Sequence, residues 1–339
     1  MKRRYCVLLA AALVVMLGFF GFSAGEAQAG TVIKLGTSAP KGSPWHDALM
    51  RMAEEWKTAT NGAVELKVYP GGTIGNEVDM VRKMRQGRLD AATITSIGIR
   101  EIDAGLLGLQ VPRLVQSNAE LDYAMEAMRP QVEKRLADQG FVLLQPGDTG
   151  WVRLFTTKEA RTLDEMRTRK LFVGAAETKS KEAWSRAGFL TVEVSAVDVL
   201  PSLQTGLLDG AAAVPLAALS MQWFGLAKYM LDFKIAPLVG GTVITQKAWS
   251  QIPAEYHAKL LEIVRRYVGE DLKRIRSLDD EAIETMKKNG LIVVKPTPEE
   301  EKRLHQSFVD QWPYIRQEII PTDIFDTIRS TMESLRVGK

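Results

Sequence analysis

Few residues in this 339-residue chain carry the side chains of nucleophilic, metal or acid–base chemistry. The histidines are His46, His257 and His305, and the one cysteine is Cys6. A single thiol excludes a disulfide framework and any cysteine-cluster zinc or iron–sulfur site. Three scattered histidines make a poor set for a multi-histidine metal centre. No Gly-x-Ser-x-Gly elbow occurs. The stretch Pro70-Gly71-Gly72-Thr73-Ile74-Gly75 is rich in glycine, but it lacks the Gly-Lys-Ser/Thr ending of a phosphate loop and the glycine spacing of a dinucleotide fingerprint. It reads as a turn entering a helix. Asp279-Asp280, with Glu281 and Glu284, reads as a solvated helix face. His46 reads as an exposed or capping residue at a helix start, and His257 and His305 as solvated. No catalytic residue, metal or cofactor is expected, and the chain reads as one that binds.

Binding chemistry has better candidates. Trp45, Trp151, Phe172, Trp223 and Phe224 fall near strand ends or helix starts, and open α/β sheets bind ligands at the carboxyl ends of their strands. A lone tryptophan is more often a core residue. Arg153 interrupts the apolar Trp151-Val152-Arg153-Leu154-Phe155; such an arginine either points outward or grips an anion with its fork. Ser38, Ser96 and Val214 complete the candidate set.

The elements that must position these residues alternate between strand and helix. Val32–Leu35 is a short β run, and Ser43 before Pro44 is a helix start. The helix spacing of Ala48, Met52 and Trp56 continues to about Ala59, and Thr60-Asn61-Gly62 stops it. Val64, Leu66 and Val68 alternate with Glu65 and Lys67, which predicts a half-exposed strand. A helix through Val78, Val81 and Met84 and a strand over 91–95 complete a βαβαβ pattern, the mark of a parallel sheet. Strands are predicted again at 141–144, 171–173, 192–194 and 211–214, with helices over 178–187 and 196–204. From Pro253 to Asn289 there is no internal proline and only Gly269, and apolar residues recur at helical spacing. A continuous helix there would exceed ~50 Å, longer than a lobe of this size is wide, so it is expected to cross from one lobe to the other unless it kinks near Gly269 or Ser277 into a hairpin of helices.

The first residues read as an address. Lys2, Arg3 and Arg4 precede a charge-free run from Tyr5 to Gly25, and Ala27-Gln28-Ala29 supplies a small-x-small cleavage pattern. Removing residues 1–29 takes away Lys2, Arg3, Arg4 and Glu26 and leaves 41 basic and 40 acidic residues. With charges that alternate in sign, no basic stripe for nucleic acid is present. A cysteine-free mature chain suits an oxidising, exported compartment.

Trp45-His46 entering a helix, Thr60-Asn61-Gly62, Pro70-Gly71-Gly72, Gly75-Asn76-Glu77 through Gly87-Arg88-Leu89-Asp90, Leu163-Asp164-Glu165-Met166, Leu203 through Gly210 and Trp249 follow one another in an order and spacing that resembles the solute receptors of tripartite ATP-independent periplasmic (TRAP) transporters, the DctP type. The resemblance covers about residues 31–330. It implies an α/β, two-lobed periplasmic-binding-protein-like fold with a long helix bracing both lobes, lobe 1 being residues 30–152 plus about 237–280 and lobe 2 residues 153–236 plus about 281–339. It implies a periplasmic receptor that closes on a solute and delivers it to a small and a large membrane subunit. A monomer is expected, since no apolar stripe demands a dimer. An exported sensor or scaffold of the same fold is the alternative.

Two departures bear on the solute. Most members carry an arginine in a Lys-Ile-Arg-Val-type strand, where it grips a ligand carboxylate; here the strand is Lys170-Leu171-Phe172-Val173, with Phe172 at the anchor position. The neighbouring arginine is retained as Arg153. After Asp209-Gly210 the family shows polar residues ending in Asn-Pro, whereas this chain has Ala211-Ala212-Ala213-Val214-Pro215. The expected solute is therefore a hydrophobic monocarboxylate or an apolar molecule, held by Arg153, Phe172, Trp151, Trp45, Ser38, Ser96, Val214 and Trp223.

Overall fold

A computed structural model describes residues 30–174 and 178–337; the expected leader, residues 1–29 with Cys6, lies outside them. The first strand is β1 (Thr31–Thr37). Ser43 caps α1 (Pro44–Ala59) by accepting a hydrogen bond from the His46 N–H at 3.3 Å, and Pro44 takes the first helical position. The helix stops where Asn61 and Gly62 adopt φ of 50° and 80°. β2 (Val64–Tyr69), α2 (Glu77–Arg85) and β3 (Ala91–Thr95) follow as the spacing predicts. Then come α3 (Ser96–Ile99), α4 (Asn118–Asp138), β4 (Phe141–Trp151), β5 (Arg153–Thr156), α5 (Leu163–Arg167), β6 (Lys170–Gly174), α6 (Thr178–Arg186), β7 (Leu190–Val194), α7 (Val199–Thr205), β8 (Gly210–Ala213) and α8 (Pro215–Ser220). The remainder is β9 (Tyr229–Leu231), β10 (Pro237–Thr245), α9 (Gln246–Gln251), α10 (Ala254–Lys288), β11 (Ile292–Val294), α11 (Pro298–Val309), α12 (Trp312–Glu318) and α13 (Thr322–Val337).

Among the described residues the strands form a five-stranded sheet, β2-β1-β3-β10-β4, and a six-stranded sheet, β11-β9-β5-β8-β6-β7. β1 runs parallel to β2 and β3, the predicted βαβαβ. The sheet is nevertheless mixed, because β10 returns from the other half of the chain and lies antiparallel to both β3 and β4. β4 also runs well past the predicted 141–144. Pro146 cannot donate to a ladder, but β4 lies at the sheet edge, where proline is tolerated.

The chain passes between the sheets at Val152, whose N–H donates to the Ala236 carbonyl at 2.9 Å and whose carbonyl accepts from the Ile235 N–H at 3.0 Å. The third link is α10, which stays helical over 35 residues straight through Gly269. Its Leu260, Ile263 and Val264 pack with Trp56 of α1 beneath the first sheet, while Ile283 and Met286 pack in the core of the second. One helix thus braces both lobes. The tail departs from the expected boundary: Ile324, Phe325, Ile328 and Met332 of α13 pack against Leu121, Ala124 and Met128 of α4, so residues 322–337 join the first lobe. Burying those four side chains there, rather than on the second lobe, draws the tail back across the joint. Among the described residues no helix is long and apolar enough to cross a membrane.

Candidate functional site

A cavity of about 270 Å³ opens where the two lobes and the brace helix meet, close to the low end of small-molecule pockets (~300 Å³). From the first lobe it takes the carboxyl end of β1 (Thr37, Ser38), the first turns of α1 (Trp45, Leu49, Met52), Glu77 of α2, the end of β3, and facing segments of β4 and β10. The second lobe adds Val214, Ala217 and Met221, and α10 adds Val264 and Ile275. Neither lysine nor arginine is among its described lining residues.

The two carboxylates on the wall are already occupied. Glu77 is buried, and one of its oxygens accepts from the Thr95 N–H at 2.9 Å, the Thr95 hydroxyl at 2.8 Å and the Gly98 N–H at 3.0 Å. Burial raises its pKa, and these donors with the Ser38 hydroxyl oppose the rise. Asp148 accepts from Arg276 of α10 at 2.7 Å, and Arg276 also reaches Asp122 of α4 at 2.7 Å. Burial pushes Asp148 up as well, against the Arg276 fork. The Thr93 and Thr242 hydroxyls bond each other at 2.9 Å across the β3–β10 register. By contrast, the Trp45 indole nitrogen and the Gln145 amide oxygen are buried with no partner.

The eight sequence candidates divide among four places. Ser38, Trp45 and Val214 line the cavity. Ser96 lines a second, smaller cavity of about 130 Å³ with Arg100, Gln110 and Trp184. Phe172 and Trp223 meet edge to face at 5.7 Å within the second lobe's core. Trp151 and Arg153 are buried on either side of the joint, the indole donating to the Asn118 side chain at 2.6 Å. The Arg153 guanidinium is committed to carboxylates of its own chain, Asp279 at 3.6 Å and Asp232 at 3.8 Å.

Asp279 therefore differs from its reading as part of a wet helix face. Asp280 is exposed, but Asp279 is buried and accepts from the Leu216 N–H of α8 at 3.0 Å. Burial pushes its carboxyl up to about 6, against the Leu216 bond, the Arg153 charge and a backbone bond from Trp151. The approach needs Gly150, whose φ is +115° and where a Cβ would lie 2.7 Å from the Asp279 carboxylate. The histidines also have structural partners. His257 bonds the Trp249 and Ile252 carbonyls and stacks on Trp249, and His305 accepts from Arg113 at 3.1 Å.

The sequence reading missed Gln145, Glu77, Asp148, Met221 and the β10 wall. Gln145 is the polar residue directly after the predicted strand end at Leu144, and that position was its only signal.

The sequence model described as bacterial extracellular solute-binding protein, family 7 (DctP), matches residues 35–318. A solute-binding protein of Roseobacter denitrificans is 26% identical over 208 residues, 59% of this chain and 61% of that relative. The chain thus spans about three fifths of that relative's length. Among solved structures, a TRAP periplasmic solute-binding protein of Xanthobacter autotrophicus with bound β-D-galacturonate superposes with a TM-score of 0.81 at 19% identity, covering 89% of this chain and 99% of the other. An extracytoplasmic solute receptor of Bordetella pertussis binding pyroglutamic acid gives 0.82 at 20% identity, over 89% and 99%.

Proposed function

Because the chain belongs to the bacterial extracellular solute-binding proteins of family 7, we propose that it is the periplasmic receptor of a TRAP transporter and that the 270 Å³ cavity holds its solute. The solute is a small organic molecule with a largely apolar body, a hydrophobic monocarboxylate or a neutral apolar compound. The observation that carries this reading is the wall of Trp45, Leu49, Met52, Ile94, Val214, Met221 and Leu238 without a lysine or arginine among its described members. The molecules bound by the two structural neighbours above are polar, so the apolar preference rests on this chain's own residues.

In this reading Ser38, Trp45 and Val214 touch the solute, while Arg153, Trp151, Phe172, Trp223 and Ser96 shape the lobes around it. The lobes that close are residues 30–152 with about 237–280, and 153–236 with about 281–321, the tail 322–337 returning to the first. Closure brings Val214, Ala217 and Met221 against the first-lobe wall and removes their apolar surface from water, which is how binding is coupled to shape. The family is one of substrate-binding proteins, and no reaction is assigned to the cavity. Leader cleavage after Ala29 and handover to a small and a large membrane subunit complete the proposal.

Native mass spectrometry of the exported protein, with denaturing release of its co-purified solute, tests it. A one-to-one complex that releases an apolar molecule is the expected result. Release of a small dicarboxylate would overturn the solute class, and a chain that carries and binds no small molecule would overturn the receptor reading.

A further inference from the structure

Resting on the reading that the cavity is the solute site, we propose that the solute is uncharged and presents an amide-type group, a carbonyl beside an N–H, to Trp45 and Gln145. Most side-chain polar groups on the cavity wall already bond to their neighbours. Glu77 is surrounded by Thr95, Gly98 and Ser38 donors, and Asp148 is held by Arg276 and the Gly150 N–H. Thr93 and Thr242 share one hydrogen bond, the Thr95 hydroxyl is used by Glu77, and the Thr149 hydroxyl donates to the Leu238 carbonyl. The buried side-chain atoms of this wall left without a partner are the Trp45 indole nitrogen and the Gln145 carboxamide oxygen.

Those two groups specify their complement. An indole nitrogen only donates, so it needs an acceptor; the amide oxygen of Gln145 needs a donor. An amide, lactam or similar neutral group supplies both within one short planar unit. A carboxylate supplies acceptors only, and would enter a cavity whose described wall holds two acidic side chains and no lysine or arginine. An ammonium group would find both carboxylates already occupied. The apolar remainder of the wall accepts the body of the molecule.

The test uses matched pairs that differ only in this group, hexanamide against hexanoate and phenylacetamide against phenylacetate. Their affinities are measured by calorimetry at pH 7 on the full exported protein freed of its co-purified solute. At least one amide is expected to bind about tenfold or more tightly than its acid, a difference of about 1.4 kcal/mol. Trp45→Phe and Gln145→Leu, checked for an unchanged unliganded melting temperature, are expected each to remove most of that preference by lowering the amide's affinity more than the acid's. An acid that binds as tightly as its amide, or a preference that survives both substitutions, overturns the proposal. If neither pair binds while native mass spectrometry still releases a one-to-one solute, the amide class is wrong and the cavity reading stands. If no solute is found at all, both fall.

Discussion

The joint between the lobes and the cavity beside it use polar groups in opposite ways. At the joint, two charged residues one turn apart on α10 reach in different directions. Arg276 holds Asp148 of β4 and Asp122 of α4, and Asp279 meets Arg153 of β5 and the Leu216 N–H of α8. Asp148, Arg153 and Asp279 are buried there and face charges of the same chain. On the cavity wall the unpaired groups are neutral, an indole and a carboxamide set among apolar side chains. Charge at the joint fixes one geometry, because a buried ion with its partner removed is costly. Neutral groups in the cavity leave room for selection among solutes. Arg153 shows the division most clearly: the residue expected to grip an anion is instead part of the brace.

Removing one half of the buried pair should give the largest effect. Asp279→Ala takes the nearer and more deeply buried carboxylate from Arg153 and the acceptor from the Leu216 N–H, a loss of about 3–5 kcal/mol. The urea midpoint is expected to fall accordingly, whereas Gln145→Leu on the cavity wall shifts it little. A loss under about 1 kcal/mol for Asp279→Ala would erase the distinction between the two regions.

The next effect is one of pH. The Asp279 carboxyl sits at about 6 in the fold against an ordinary 3.8, raised by burial. The folded state therefore holds this proton more tightly than the unfolded chain, so the contribution is greatest below pH 4 and is lost as pH rises through about 6. Two pKa units correspond to about 3 kcal/mol. Calorimetric melts of wild type and Asp279→Asn from pH 4 to 7 should diverge with that sign, the wild type losing more stability on the way up. Glu77 and Asp148, raised in the same direction, are present in both proteins and cancel. Parallel pH profiles would mean that the joint does not hold Asp279 as argued.

How far the sequence could anticipate this contrast depends on how local each signal is. The Ser43–Pro44 start of α1, its stop at Asn61-Gly62, the strand over 91–95 and the unbroken helix through Gly269 are set by neighbours in the chain, and all were legible. The family and the braced two-lobe fold were legible from the order of short motifs. Burial of Asp279 was not, because Asp280 beside it is exposed, and only the arrival of Gly150 and Arg153 from the other half of the chain distinguishes them. The cavity wall depends likewise on β10 lying between β3 and β4, which puts Thr242 beside both Gln145 and Thr93. Pro146 hid the extension of β4 that carries Gln145 into that wall.

A smaller effect should come from occupying the cavity instead of breaking the joint. Ala217 is partly exposed on the second-lobe side of the cavity. Ala217→Phe projects a ring into the space the solute takes and is expected to weaken binding about tenfold or more, roughly 1.4 kcal/mol. The unfolding midpoint should move by less than about 0.5 kcal/mol, as for substitutions away from packed cores. Calorimetric titration with the released solute and urea melts measure the two quantities separately. An equal fall in both would place Ala217 in the core of the lobe and not on the solute's side.

The smallest effect bears on the claim that paired and unpaired polar groups differ. Thr93 and Thr242 line the same cavity as Gln145, but their hydroxyls bond each other at 2.9 Å from paired positions of β3 and β10. Thr93→Val alone leaves the Thr242 hydroxyl without its partner and should cost about 1 kcal/mol. Replacing both threonines with valine removes donor and acceptor together, keeps the shape, and should return stability to within about 0.5 kcal/mol of wild type. Solute affinity should change less than about threefold in the double variant if the two hydroxyls stay bonded to each other when the solute binds. If the double variant weakens binding as much as Gln145→Leu does, the hydroxyl pair opens to meet the solute. Selection would then belong to the whole polar wall and not to Trp45 and Gln145.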